Sequence, residues 1–221
     1  AIDASNGMAG KMVPAVFGNV PNLEIIPILF EITGSFVHEP NPLVDSNLQM
    51  LKDKVAEVKP DLGACFDGDA DRCMFVDEKG QSIGCDLITA LLARDFLGKP
   101  ENKGSSIVYD LRSSHVVLDE IKAAGGVPKR DRVGHAFIKK TLAETKAVFG
   151  GELSGHFYFR DNFFADSGAI AFARPCRAAR CPHRLPVPVV AHRQPAGEGG
   201  QRTHRRRQDQ CRRADRAVEG A

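Results

Sequence analysis

Three aspartates stand at alternate positions in the segment Asp67-Gly68-Asp69-Ala70-Asp71-Arg72. If the backbone turns tightly there, the three carboxylates point into one small volume, and Gly68 is expected to permit that turn. Carboxylates crowded in this way repel one another unless a hard cation sits between them. Mg2+ suits the position because it prefers oxygen ligands and keeps places open for phosphate and water. Arg72 follows with a planar guanidinium that matches a phosphoryl group. The chemistry implied is a phosphate held through a divalent ion. Three rival readings exist. An EF-hand would put its ligands on Asp67, Asp69 and Asp71, but Arg72 occupies the position where that loop needs glycine, and the flanks read as strands. An Asp-nucleophile phosphatase also carries a D-x-D loop after a strand. A plain solvated acidic turn is the third.

Two further residues stand out by position. Arg112 follows the apolar run SIVYD, at a strand end where α/β folds place ligand groups. His135 opens a helical pattern after Gly134, so it either contacts phosphate, assists proton transfer, or caps and packs. Arg132 and Lys139 could face a cleft, although the pair Lys139-Lys140 is more often a solvated helix face.

The elements that must carry these residues alternate between strand and helix patterns. Leu23–Phe30 reads as a buried strand, Ser46–Val58 as a helix, Leu62–Phe66 and Cys73–Val76 as strands around the acidic loop. Beyond Gly84 the style repeats: helix Asp86–Leu97, strand Ser106–Tyr109, helix His115–Ala124, helix His135–Glu144 and strand Ala147–Phe149. This alternation predicts an α/β class with two consecutive layered domains, residues 1–83 and 84–173, whose sheets are mixed and mostly parallel. From Arg174 the composition changes. The stretch 174–221 is rich in Arg and Pro and contains no Lys, and is expected to be a disordered or out-of-frame basic tail.

Bulk composition excludes some classes. A formal net charge of +2 makes no case for nucleic acid. No apolar run approaches the ~20 residues of a membrane helix, and the opening AIDASNGMAG lacks the basic head and apolar stretch of a signal peptide. Six cysteines in a chain this size do not form a disulfide framework; Cys65, Cys73 and Cys85 sit in or beside apolar segments and read as reduced, buried thiols of a cytoplasmic protein.

With the acidic loop in view, the chain resembles the α-D-phosphohexomutase superfamily, phosphomannomutase/phosphoglucomutase type. Its D-G-D-x-D-R loop is matched at every fixed position. Gly151-Glu152-Leu153-Ser154-Gly155-His156 is similar to the family's sugar loop, and Asp3-Ala4-Ser5-Asn6-Gly7-Met8-Ala9-Gly10 to the start of its second domain. His38-Glu39-Pro40-Asn41-Pro42, Asp110-Leu111-Arg112-Ser113-Ser114 and Gly134-His135-Ala136-Phe137-Ile138-Lys139 match in order, so the resemblance covers about residues 1–173. It implies an intramolecular phosphotransferase that interconverts 1- and 6-phosphosugars of mannose or glucose through a bisphosphorylated sugar, with sugar 1,6-bisphosphate as activator. By the same resemblance Asp67, Asp69 and Asp71 hold Mg2+, Arg72 steadies the phosphoryl group, and Arg112 and His135 lie near the reaction centre. Glu152 and Ser154 hydrogen-bond sugar hydroxyls, as a carboxylate and a hydroxyl can, and His156 either reaches the same ligand or supports the loop. Leu153 fits the mannose/glucose class better than the glucosamine class, which tends to carry Gln. The family's phosphoserine loop and its last phosphate-binding domain have no counterpart in these 221 residues, so little turnover is expected from them alone. A Mg-binding domain pair without catalysis is the alternative.

Overall fold

The computed structural model describes residues 1–179, with side-chain environments to residue 175. Two five-stranded sheets carry the chain. The first comprises β1 (Ile2–Asp3), β2 (Pro27–Ile28), β3 (Gly63–Phe66), β4 (Cys73–Val76) and β5 (Ser82–Ile83), in the order β2-β1-β3-β4-β5. Its helices are α1 (Ala9–Phe17) and α2 (Gln49–Val58), the latter entered through a 3-10 turn at Asp45–Leu48. After α3 (Cys85–Leu97), the second sheet comprises β6 (Ser106–Asp110), β7 (Val127–Asp131), β8 (Phe149–Gly151), β9 (Phe157–Phe159) and β10 (Ala165–Asp166). Helix α4 (His115–Ala123) joins β6 to β7, α5 (His135–Thr145) joins β7 to β8, and α6 (Gly168–Ala179) follows β10.

The second sheet runs β7-β6-β8-β9-β10, so both sheets share one connectivity. In each, the first strand is flanked by two parallel partners, and the last two strands turn back antiparallel. The sheets are therefore mixed, with parallel and antiparallel pairings in equal number. The acidic loop joins β3 to β4, and the loop 151–156 joins β8 to β9: they occupy the same corner of each sheet.

Apolar strands set this arrangement. β3 and β4 are buried along their whole length, which matches their unbroken apolar sequences. α3 buries Ile88, Leu92, Phe96 and Leu97, and the Phe96 ring stacks on Phe149 at 5.3 Å. Phe172 of α6 packs back on the first sheet's core, 5.1 Å from the Phe17 ring and 6.0 Å from Phe66. Cys65, Cys73 and Cys85 are free and buried, and burial pushes the Cys65 and Cys85 thiols up to about 12.

Three expectations need correction. Leu23–Phe30 is not a buried strand: only Pro27–Ile28 pairs, at the sheet edge, and Leu29 turns away at φ +53°. Pro27 lacks a donor, which confines it to an edge. The tight turn of the acidic loop is made by Ala70, at φ +67°, and not by Gly68. Helix α6 continues to Ala179, past Arg174, where the composition changes; Arg174 itself pairs with Asp95 at 2.9 Å and stacks 4.4 Å from the Phe96 ring centroid. The remainder of the expected tail, 180–221, lies outside the described residues. Among the described residues no helix is long and apolar enough to cross a membrane.

Candidate functional site

The loop between β3 and β4 gathers its carboxylates. Asp67, Asp69 and Asp71 each offer an oxygen, and these oxygens lie within 4.8 Å of one another. In an octahedron with Mg–O bonds of about 2.1 Å, neighbouring oxygens are about 3.0 Å apart and opposite ones about 4.2 Å, so the three oxygens must draw together around the ion. Asp71 Oδ1 is buried without a hydrogen-bond partner, an acceptor that a cation would satisfy. Burial, then the charge of Asp67, push the Asp71 carboxyl up to about 6; His156 opposes this and Asp69 adds to it. The donor set therefore fits a hard divalent cation.

Close backbone contacts hold the loop. Met8 N donates to Gly68 O at 2.9 Å, an approach that needs Gly7, since a Cβ there would lie 2.5 Å from the same oxygen. Gly168, at the start of α6, sits equally close to Ala70 O: a Cβ would lie 2.6 Å away. Arg72 folds onto its own loop. Its Nε donates to Asp67 Oδ2 at 2.5 Å, its backbone N to Asp67 Oδ1 at 3.1 Å, and Nη1 to Asn41 Oδ1 at 3.4 Å. Asn41 belongs to a segment tied to β1 by His38, whose Nε2 lies 3.0 Å from Asp3 Oδ2.

The loop between β8 and β9 meets this one directly. Arg72 and His156 form an antiparallel bridge, and Cys73 N donates to Gly155 O at 3.3 Å. Gly155 adopts φ +86° to close the turn. Glu152 is buried; Tyr158 OH donates to its Oε1 at 2.6 Å and Ser154 Oγ to its Oε2 at 3.2 Å. Burial, then the Glu152 bond, push the Tyr158 phenol well above its ordinary value. Leu153 N donates to Asp110 Oδ2 at 2.8 Å, which fastens the loop to the end of β6. The same oxygen accepts Arg112 Nη2 at 2.8 Å. Burial alone would raise the Asp110 carboxyl, but the Arg112 guanidinium and the Leu153 and Arg112 amides outweigh it and hold the group below the usual carboxylate range.

A second cluster sits beside these loops. His156 Nδ1 lies 2.8 Å from Asp166 Oδ2 and 3.7 Å from Asp71 Oδ2. Lys139 Nζ lies 3.0 Å from Asp166 Oδ1. Desolvation works against the His156 cation, but Asp166, Asp71 and Glu152 overcome it and raise its pKa.

The models for phosphoglucomutase/phosphomannomutase alpha/beta/alpha domain II and domain III match residues 1–80 and 85–186. The chain belongs to this family. It is 41% identical over 174 residues to a phosphomannomutase of Escherichia coli, covering 76% of this chain and 38% of the relative. To a phosphomannomutase/phosphoglucomutase of Pseudomonas aeruginosa it is 35% identical over 175 residues, 78% of this chain and 37% of the relative. The crystal structure of a family protein from Burkholderia thailandensis aligns with a TM-score of 0.76 and 34% identity, over 81% of this chain and 39% of that one. The chain thus spans under two-fifths of the length of the relatives it matches.

Of the residues that the phosphohexomutase resemblance singles out, the structure brings Asp67, Asp69, Asp71, Arg72, Glu152, Ser154 and His156 to two touching loops. Arg112 joins them through Asp110. His135 stands apart: it is exposed at the start of α5, and its side chain makes no hydrogen bond or ion pair with the described residues. Arg132 lies over the Phe137 ring, 3.4 Å from its centroid. Lys139, half expected to be solvated, is paired. Asp166 and Tyr158 were not foreseen. The signal for Asp166 is the hairpin register, which sets it opposite Tyr158 one turn after the histidine.

Proposed function

We propose that this chain carries the metal-binding and sugar-reading parts of a phosphohexomutase that interconverts 1-phospho and 6-phospho forms of mannose or glucose through a bisphosphorylated sugar. The observation that carries the reading is the junction of the two loops: three carboxylates convergent on one point, bridged through Arg72 and His156 to the loop of Glu152 and Ser154. Phosphoryl transfer needs charge neutralisation and alignment more than covalent chemistry from the protein. Asp67, Asp69 and Asp71 would hold Mg2+, which would neutralise a phosphate oxygen. Glu152 and Ser154 would bind sugar hydroxyls, and Arg72 would swing from Asp67 to the phosphoryl group once the ion takes its place. Arg112 and His135 are assigned to the reaction centre, His135 needing a neighbouring segment or substrate to engage it. Residues 1–83 and 84–173 act as the two functional units, in a cytoplasmic enzyme activated by sugar 1,6-bisphosphate.

Turnover by the 221 residues alone is expected to be negligible, because the phosphoserine donor of the family has no counterpart in them. Calorimetry on the full chain tests the binding half: Mg2+ should bind to the wild type and bind at least about tenfold more weakly to Asp69→Asn, a loss near 1.4 kcal/mol. No magnesium uptake by the folded wild type would sink the reading. A coupled assay with mannose 1-phosphate and glucose 1-phosphate tests the other half, and robust Mg2+-dependent turnover would refute the account of the absent donor.

A further inference from the structure

Both sheets end their first strand on a buried aspartate. β1 closes on Asp3 and β6 on Asp110, and both residues are 0% exposed. In each, Oδ1 accepts the backbone amide two residues on at 2.8 Å, from Ser5 N and from Arg112 N. That bond shapes the turn and would serve any loop. The second oxygen does more. Oδ2 of Asp3 meets His38 Nε2 at 3.0 Å, on the segment whose Asn41 accepts Arg72 Nη1. Oδ2 of Asp110 accepts both Arg112 Nη2 and Leu153 N, each at 2.8 Å. In both sheets this oxygen is directed at an arginine of the candidate site, through Asn41 in one and directly in the other.

The Asp110 arrangement joins two recognition elements. Leu153 lies between Glu152 and Ser154, so the bond to its amide fixes the loop that carries both. Arg112 gives Asp110 its backbone amide and Nη2; its Nε and Nη1 have no protein partner among the described residues, and its side chain is 42% exposed. Those N–H groups suit the oxygens of a phosphate monoester. The bond from Asp110 raises the Arg112 pKa most, burial works against it, and the charges of Asp110 and Glu152 add to it, which sets Glu152 within electrostatic reach of the guanidinium. Because Asp110 is buried and charged, loosening either donor leaves it under-satisfied, so Arg112 and the loop are held as one unit.

We propose that Asp110 is a positioning residue that sets the Arg112 guanidinium and the Glu152–Ser154 loop in one fixed relation, so that the phosphate and a hydroxyl of a single sugar phosphate are read together. The ligand part rests on the mutase reading; the orienting part does not.

The test is nuclear magnetic resonance on the full chain labelled with 15N-arginine. The Arg112 signals are identified by their loss in Arg112→Lys. A guanidinium held by a buried carboxylate rotates slowly about its Cζ–Nη bonds, so the wild type should show resolved Nη protons for Arg112 in the cold. Asp110→Asn sets an NH2 group against at least one of the N–H donors in either orientation of the amide, and should merge those signals into the average of free arginines. Shift titrations with glucose 1-phosphate and with inorganic phosphate supply the second readout. The wild type should prefer the sugar phosphate, and Asp110→Asn should lower that preference at least about tenfold by uncoupling the two contacts. A merely structural role for Asp110 would change the melting temperature and leave the ratio of the two affinities unmoved. A freely rotating Arg112 guanidinium in the wild type overturns the proposal, and that spectrum decides even if the variant fails to fold. A wild-type preference that persists in Asp110→Asn overturns the positioning role and leaves the mutase reading standing. A held guanidinium with no wild-type preference for glucose 1-phosphate supports the orienting part and overturns the ligand part, together with the mutase reading on which it rests.

Discussion

Tyr158→Phe isolates one buried contact. Tyr158 is fully buried, and its hydroxyl is 2.6 Å from Glu152 Oε1. Glu152 is 3% exposed, and Ser154 serves its other oxygen at 3.2 Å. Removal of the hydroxyl leaves Oε1 buried with no protein donor. Hydrogen bonds to charged groups contribute about 1.5–3 kcal/mol, and an orphaned buried acceptor costs a similar amount, so a loss of about 2 kcal/mol is expected. For a chain of this size that lowers the thermal midpoint by roughly 4–8 °C. Urea and thermal unfolding followed by far-ultraviolet circular dichroism measure it. The pH dependence gives an independent reading. The folded pKa of Tyr158 is raised above the ordinary 10.0, so its contribution is fully present below that value and declines as the unfolded chain ionises above it. The wild type should lose up to about 1.4 kcal/mol per pH unit there from this group, and the variant should not. A variant that melts within about 1 °C of the wild type, with the same alkaline slope, would refute the argument.

Two further outcomes follow from the acidic loop. The Asp71 pKa is raised from 3.8 to about 6, so its protonation favours the metal-free fold at low pH, and that benefit is lost as pH rises through about 6. Because Mg2+ needs the carboxylate, the gain in thermal midpoint from saturating MgCl2 should be larger at about pH 8 than at about pH 5, and equal gains would count against the assignment. Gly168→Ala puts a Cβ 2.6 Å from Ala70 O, a backbone atom that must move. It should cost about 1–3 kcal/mol and weaken Mg2+ binding several-fold by calorimetry, and an unchanged affinity would show that α6 does not hold the loop.

The parts legible in sequence are those where one signal dominates. β3 and β4 are unbroken apolar runs around a loop of three aspartates, and α3, α4 and α5 carry clean helical spacing between glycine stops. Where signals conflict, the sequence misleads. α1 contains Gly10 and Pro14, two residues that argue against a helix, yet tertiary packing of Val13 and Phe17 stabilises it. β7, with the sequence VPKRD, lacks apolar alternation; it pairs along five residues with β6 at a sheet edge, where charged side chains stay in water. The left-handed turn at Ala70 has no residue-type signature at all. At the site, residue types and spacing singled out the candidate ligands and the segment of Asp110, while Tyr158 and Asp166, which bond Glu152 and His156, are set by strand register and cannot be found from local pattern.

The shared connectivity of the two sheets limits how such a protein can change. The loops proposed to hold ion and sugar are corresponding hairpins, so each can change by side-chain replacement with little disturbance to the other. Insertions are a different matter. The hydrogen bond from Cys73 to Gly155 ties one hairpin to the other, and a residue added to either would dislodge both. New substrate ranges in this architecture should therefore arise by substitution at fixed loop length.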